Sequence, residues 1–161
     1  MATLLGLIIS FAATGEIGAF RLGMSGEEAD RLLGGGTGLA GPARSGSGGE
    51  VGFKDGSLEL WVGPDATVSL LGLDTSGADG RFQSPSRINA ATREDIEAPS
   101  REALISGLGR LGCAWHPDDA LTFDGQLAVR TEAGVSVVFT RPAPPADEWV
   151  LASLYRSAAV H

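Results

Sequence analysis

The sharpest local signal in the sequence lies near its amino terminus, in Thr14-Gly-Glu-Ile-Gly-Ala-Phe-Arg-Leu-Gly-Met-Ser-Gly-Glu-Glu-Ala-Asp-Arg-Leu-Leu-Gly34. Ser25 stands where a helix N-cap belongs, and Glu28 follows three residues later, which is the spacing of a capping box. Gly34 can supply a left-handed stop, and the apolar stripe between the two ends comprises Ala29, Leu32 and Leu33. The pattern predicts a short packed helix and indicates no particular reaction.

An apolar run precedes this motif, Leu4-Leu-Gly-Leu-Ile-Ile-Ser-Phe-Ala-Ala13. A signal peptide would require a Lys or Arg before this run, and none is present. The run is also too short to span a bilayer. We expect a buried first helix, with Leu4, Leu7, Ile8 and Phe11 on one face. A remnant of a signal peptide is the alternative interpretation.

The segment that follows the capped helix, residues 34–49, is rich in glycine and has the composition of a loop. No strand precedes the glycines and no Gly-Lys-Ser/Thr is present, so a phosphate-binding loop is not indicated.

A series of antiparallel strands is predicted next. Residues 50–54 and 57–62 flank Asp55-Gly56, a two-residue hairpin signal, and further strands are expected at 66–73 and 81–83. In the second of these strands Leu58, Leu60 and Val62 face one side, and Glu59 and Trp61 face the other.

The second half of the chain repeats the order of helix and then strands. Residues 84–99 are interpreted as a connector with one weak helical turn at 92–95, and Ser100 caps a predicted helix over 101–111. The apolar face of that helix is expected to contain Leu104, Ile105, Leu108 and Leu111. Residues 113–115 should continue inward, followed by a turn at 116–119 and strands at 120–123, 126–131, 135–140 and 148–156.

This order predicts a single α+β domain over residues 1–161, with helices packed on one face of an antiparallel sheet. Residues 1–83 and 100–156 could be two degenerate α-then-β halves joined by the connector.

The charge of the chain is acidic and unevenly distributed. The net charge is −8, with −6 in residues 1–80 and −2 in residues 81–161, and clustered basic residues that could contact phosphates are absent. We therefore expect no nucleic-acid partner, and we expect no membrane partner because no stretch of the sequence is a candidate membrane span. The single cysteine, Cys113, excludes an internal disulfide and fits a reducing compartment, so a cytoplasmic location is predicted.

Candidates for catalysis are few. Cys113 and His116 are near in sequence and could form a nucleophile and base, but Cys113 follows an apolar helix and fits a small buried side chain better. Asp118 and Asp119 could bind a divalent cation, although adjacent carboxylates in a turn commonly face solvent. We expect no enzymatic activity, no catalytic residues, no cofactor and no metal.

Residues Ile17 to Gly34 resemble a Leu-Gly-Met-Ser/Thr, two residues, Glu, then Leu-Leu-Gly signature found in small bacterial α+β proteins. These include the β-lactamase inhibitor proteins, the small outer-membrane assembly lipoproteins and proteins thought to be immunity proteins. The chain lacks both a lipobox cysteine near its start and the paired cysteines of the secreted inhibitors. The resemblance therefore implies an intracellular acidic binding domain of this fold.

Together, the net charge, the lack of catalytic candidates and the resemblance predict a cytoplasmic immunity protein that occludes the active site of a cognate, basic protein toxin. The expected contact residues are Glu59, Trp61, Asp65, Asp74 and Asp79, with Trp61 as the aromatic anchor, although a core position for Trp61 is an alternative. A ligand-binding or enzymatic domain, with a helix–sheet pocket near Cys113 and His116, is the second hypothesis.

Overall fold

The computed structural model describes residues 3–41, 49–75, 80–87, 93–141 and 148–158, which form an α+β fold. Within these ranges the α-helices are α1 (Leu4–Thr14), α2 (Gly26–Leu32) and α3 (Arg101–Arg110), and a short 3₁₀ helix covers Asp119–Leu121. The strands are β1 (Val51–Asp55), β2 (Leu58–Val62), β3 (Val68–Asp74), β4 (Arg81–Gln83), β5 (Asp95–Glu97), β6 (Trp115–Pro117), β7 (Gln126–Thr131), β8 (Ser136–Thr140) and β9 (Val150–Ser157).

The main sheet has seven antiparallel strands in the order β1-β2-β3-β9-β8-β7-β6, and β4 pairs with β5 in a separate small sheet. The strand β3, from the first half of the chain, pairs directly with β9, from the second half. A single sheet therefore extends across both halves.

The predicted helix starts are confirmed by their caps. The Ser25 hydroxyl accepts the Glu28 N–H at 3.0 Å, and the Ser100 hydroxyl accepts the Ala103 N–H at 3.1 Å. The reciprocal half of the capping box is not formed, because the Glu28 carboxylate lies 3.8 Å from the Arg31 guanidinium instead. Gly34 has a φ of +89°, as its predicted role as a stop requires.

The helices pack on one face of the sheet, which we call the inner face. This face carries Leu58, Leu60 and Val62, all fully buried. An added Cβ at Gly26 of α2 would lie 3.1 Å from Val62, and one at Gly107 of α3 would lie 2.6 Å from Ile9 of α1. Close packing therefore joins α2 to the sheet and α3 to α1.

The predicted hairpin between β1 and β2 is confirmed, but its turn is displaced by one residue. Asp55 pairs with Leu58 in the ladder, so the loop consists of Gly56 and Ser57. Gly56 supplies the positive φ of +59°. Ser57 is fully buried, and its polar groups are satisfied by Gln83: its N–H donates to the Gln83 carbonyl and its hydroxyl accepts the Gln83 N–H.

The helical turn predicted within the connector is wrong for the residues that the structure describes, which begin at Arg93. Asp95–Glu97 is extended and pairs with Arg81–Gln83, as β5 against β4. The Arg81 guanidinium bonds to both the Asp95 carboxylate and its carbonyl, and Ile96 packs against the core. These tertiary contacts outweigh the local tendency toward a turn.

The segment after α3 also differs from the prediction. Trp115 is 41% exposed and begins the edge strand β6, so neither its burial nor a turn starting at His116 is correct. The strand predicted at 120–123 is wrong, because the 3₁₀ helix occupies its first two residues and Phe123 is exposed. The Thr122 hydroxyl explains the difference, since it donates to the Asp118 carbonyl and accepts the Ala128 N–H.

Leu111 is a further correction. It was expected on the buried face of α3 beside Leu104 and Leu108, but 57% of it is exposed. The helix ends at Arg110 and Gly112 takes a positive φ of +67°, so Leu111 leaves the helical face that packs on α1.

Candidate functional site

The outer face of the sheet, opposite the inner face, holds most of the predicted contact residues. Directly paired residues in neighbouring strands share a face, and one such row crosses all seven strands. The row consists of Lys54, Glu59, Gly72, Tyr155, Ser136, Arg130 and His116.

Trp61 lies on the outer face two residues after Glu59, and 37% of it is exposed. Its indole Nε1–H donates to the Glu59 carboxylate at 2.8 Å. The ring packs against Gly52 of β1, where an added Cβ would lie 2.7 Å from it. Trp61 is thus held in place from two sides while part of the ring faces solvent, so the alternative of a core position is wrong.

Asp74 lies at the end of β3, on the same face. Its carboxylate is 3.0 Å from the Lys54 ammonium, while its second oxygen is buried without a hydrogen-bond partner in the described part of the chain. Burial raises the pKa of the Asp74 carboxyl, and the nearby Glu59 carboxylate adds to the rise against the opposing effect of Lys54. Glu59 pairs with Gly72, and Asp74 lies two residues after Gly72 on the same face of β3. Glu59 and Asp74 are therefore diagonal neighbours and form a pair of adjacent acids.

A shallow groove of about 230 Å³ opens beside these acids. Gly72 contributes to its lining, and an added Cβ there would lie 2.9 Å from the Leu154 carbonyl. Leu70 and Tyr155 also line the groove. The outer face therefore offers an apolar depression next to two carboxylates.

Asp65 lies apart from this cluster, in the turn between β2 and β3. Its carboxylate accepts the Thr67 hydroxyl at 2.8 Å and the Thr67 N–H at 3.2 Å, which lowers the pKa of Asp65. Its position is exposed, and its hydrogen bonds serve the turn. Asp79, the last predicted contact, lies outside the described residues.

The structure does not bring Cys113 and His116 together as a nucleophile and base. Cys113 is buried in the core, with its thiol 4.0 Å from the Ala13 carbonyl of α1. Burial raises the pKa of this thiol, and the Glu132 carboxylate also favours its protonated form. His116 is exposed on the outer face of the edge strand, opposite Arg130.

Asp118 and Asp119, which are adjacent in sequence, have different surroundings. The Asp118 carboxylate lies 3.5 Å from the Arg130 guanidinium, whereas Asp119 is exposed at the start of the 3₁₀ helix. Among the described residues, no group of three or more His, Cys, Asp and Glu side chains could hold a metal ion.

A larger cleft, of about 670 Å³, lies between α3 and the strands β6 and β7, the last two strands at one side of the sheet. Its apolar lining includes Ile105, Trp115, Leu127 and Val129. The second hypothesis placed a pocket in this region, but neither Cys113 nor His116 lines it. The alternation of Leu127 and Val129 on one face of β7 was a usable signal, whereas the exposure of Trp115 depends on the unpredicted strand β6.

The chain was compared with protein-family models, with curated proteins and with solved structures, and it matches none of them. None of the described helices has the length and apolar character needed to cross a membrane.

Proposed function

We propose that this protein is a cytoplasmic immunity protein, which binds a cognate, basic protein toxin through the outer face of the sheet and occludes its active site. The observation that carries the proposal is the position of Trp61. It is a large aromatic side chain that remains partly exposed although Glu59 and Gly52 fix its orientation.

A fixed aromatic side chain is well suited to protein recognition. Trp is enriched among the residues that dominate binding energy, and a side chain ordered before binding loses little conformational entropy. The groove beside Tyr155 and Leu70 could accept an apolar side chain of the partner. Trp61 and the groove would then form the desolvated centre of the interface.

The charge of the surroundings supports a basic partner. Glu59 and Asp74 lie at the groove, Asp65 is exposed in the next turn, and the whole chain carries a net charge of −8. Long-range attraction would raise the association rate with a basic toxin, and salt would lower that rate. Lys54 is a basic residue within this acidic cluster. It would favour a partner that places a carboxylate or a carbonyl group near the Lys54 ammonium.

The test is affinity purification of the tagged protein from its native host, at low and high salt, followed by co-expression with the recovered partner. We expect one basic protein at stoichiometric amounts, whose toxicity the chain neutralises. Trp61→Ala should lose both binding and protection. Phe123→Ala is the matched control, since Phe123 is an exposed aromatic side chain outside the outer-face row.

Two results would overturn the proposal. One is recovery of no partner from cells that demonstrably produce candidate toxins. The other is full protection by a folded Trp61→Ala variant, which would remove the outer face from the mechanism. Circular dichroism and thermal unfolding of both variants distinguish loss of binding from loss of folding.

A further inference from the structure

The cleft between α3 and the strands β6 and β7 has the size and lining of a ligand site. Its volume of about 670 Å³ falls within the range of about 300–1,000 Å³ that is usual for small-molecule sites. It is separate from the outer face, because Trp115 and Val129 alternate with outer-face residues His116 and Arg130 in β6 and β7. The cleft thus lies on the inner side of the sheet, beyond the part that the helices cover.

The apolar walls of the cleft are only partly covered by the core. On α3, Leu104 and Leu108 are fully buried, whereas Ile105 is only partly buried and faces the cleft. Trp115 is 41% exposed, and Leu127 is also incompletely covered. Five large hydrophobic residues are exposed in the described part of the chain, and three of them lie between residues 111 and 123. Of these three, Trp115 lines the cleft, so exposed apolar surface forms part of its wall.

The polar groups of the cleft carry more negative than positive charge. Among the described residues that line the cleft, Glu102 and Asp119 contribute carboxylates, and Arg101 contributes the one cationic side chain. None of these three residues has an ion-pair partner within 4.0 Å among the described residues. The two carboxylates leave the lining with an excess of negative charge over Arg101, and the Trp115 ring face also attracts cations, so the cleft favours a cation.

We propose that this cleft binds a hydrophobic ligand that carries an ammonium group. The apolar part of the ligand lies against Ile105, Trp115 and Leu127, and its ammonium group lies near the carboxylates of Glu102 and Asp119. The positive charge of Arg101 repels the ammonium group and weakens binding of the ligand. The inference does not depend on the inhibitor proposal, because the outer face and the cleft share neither Trp61 nor the acids beside it.

The test uses three probes with the same apolar body, namely 3-phenylpropylammonium, 3-phenylpropanol and 3-phenylpropanoate. Titration is followed by ¹H–¹⁵N NMR, where the Trp115 indole and the amides of Leu127 and Val129 should shift. We expect the ammonium probe to bind about three- to tenfold more tightly than the alcohol, and the carboxylate to bind least tightly.

Charge variants test the assignment of the polar groups. Glu102→Gln and Asp119→Asn should each weaken binding of the ammonium probe by about two- to fivefold, whereas Arg101→Gln should strengthen it by a similar factor. All three residues are exposed, so these variants should fold. Ser106→Trp should block the cleft. Trp61→Ala, which changes the outer face alone, should leave binding of the ammonium probe in the cleft unchanged.

Three results would overturn the inference. The first is a set of shifts confined to residues outside the cleft, or no saturable shift at all. The second is equal or tighter binding of the carboxylate or the alcohol, which would contradict the assigned cation preference. The third is a Ser106→Trp variant that binds the ammonium probe as the unmodified protein does.

Discussion

The carboxylate of Asp55 accepts the backbone N–H of Arg87 at 2.8 Å, and this bond ties the end of β1 to the segment after β4. The other oxygen of Asp55 accepts the Ser86 N–H at 3.0 Å and the Ser86 hydroxyl at 2.8 Å. Arg87 in turn donates to the carbonyls of Leu33 and Gly35 at the end of α2, and its guanidinium lies over the Phe53 ring. One aspartate thus positions a residue that connects three elements.

Asp55→Ala should lower the free energy of unfolding by about 1–2 kcal/mol at pH 7, because Asp55 is only partly buried and its bonds are partly screened. Burial works against ionisation of Asp55, but the bonds from Ser86 and Arg87 outweigh it and lower the pKa of the carboxyl. Its stabilising effect is therefore present above a pH of about 4 and is lost as the pH falls through the lowered pKa. Urea unfolding of both proteins at pH 7 and pH 2.5 measures this, and an equal difference at both values would contradict it.

Two glycines of α3 should respond in opposite directions to alanine. An added Cβ at Gly107 would lie 2.6 Å from Ile9, whereas one at Gly109 would have no described atom within 4 Å apart from its chain neighbours and the backbone of its own helix. Gly107→Ala should destabilise the protein by about 1–3 kcal/mol through overpacking against α1. Gly109→Ala should stabilise it by about 0.5–1 kcal/mol, since alanine favours the helix. Thermal unfolding of the two variants provides its own control, and a Gly107→Ala variant as stable as the unmodified protein would contradict the close packing of α3 on α1.

The Asp74→Asn variant should gain stability relative to the unmodified protein as the pH rises. The pKa of Asp74 is raised in the folded protein, so its contribution is most favourable below pH 4 and is lost as the pH rises through the raised pKa. Asparagine does not titrate and avoids this loss. The stability of the variant minus that of the unmodified protein should therefore be larger at pH 7 than at pH 3, as chemical unfolding can measure. A smaller difference at pH 7 would show that the Lys54 ion pair dominates.

Cys113 should react slowly with thiol reagents in the folded protein. It is 93% shielded from solvent, and burial raises the pKa of its thiol, so little reactive thiolate is present near pH 7. Labelling with 5,5′-dithiobis(2-nitrobenzoic acid) should be at least about tenfold slower than in the urea-unfolded chain. Equal rates in the two states would return Cys113 to consideration as a nucleophile.

The fold class and most of the elements could be predicted from local signals. Ser25 and Ser100 mark the helix starts because capping depends on residues only three positions away. The strand β2 could be assigned a buried and an exposed face because alternation follows from backbone geometry. These features require no knowledge of distant contacts.

The elements that were missed depend on distant partners. Asp95–Glu97 is extended because Arg81 binds Asp95, and Trp115–Pro117 is extended because β7 pairs with it. For the candidate site, the shared face of Glu59 and Trp61 could be predicted within one strand. The proximity of Asp74 to Glu59, the groove at Gly72 and the cleft beside Trp115 all require the pairing of strands that are distant in sequence.

The pairing of β3 with β9 has a consequence for the order of folding. Leu73 lies opposite Leu154, so the middle of the sheet joins residues separated by about half the chain. During synthesis β3 is complete while β9 has yet to emerge from the ribosome, and its backbone N–H and C=O groups on that side then have no strand to bind. Contacts of such long range also slow folding. The nascent chain therefore carries an unpaired, apolar strand edge until β9 arrives, and this is the interval in which association with a chaperone or aggregation would compete with folding.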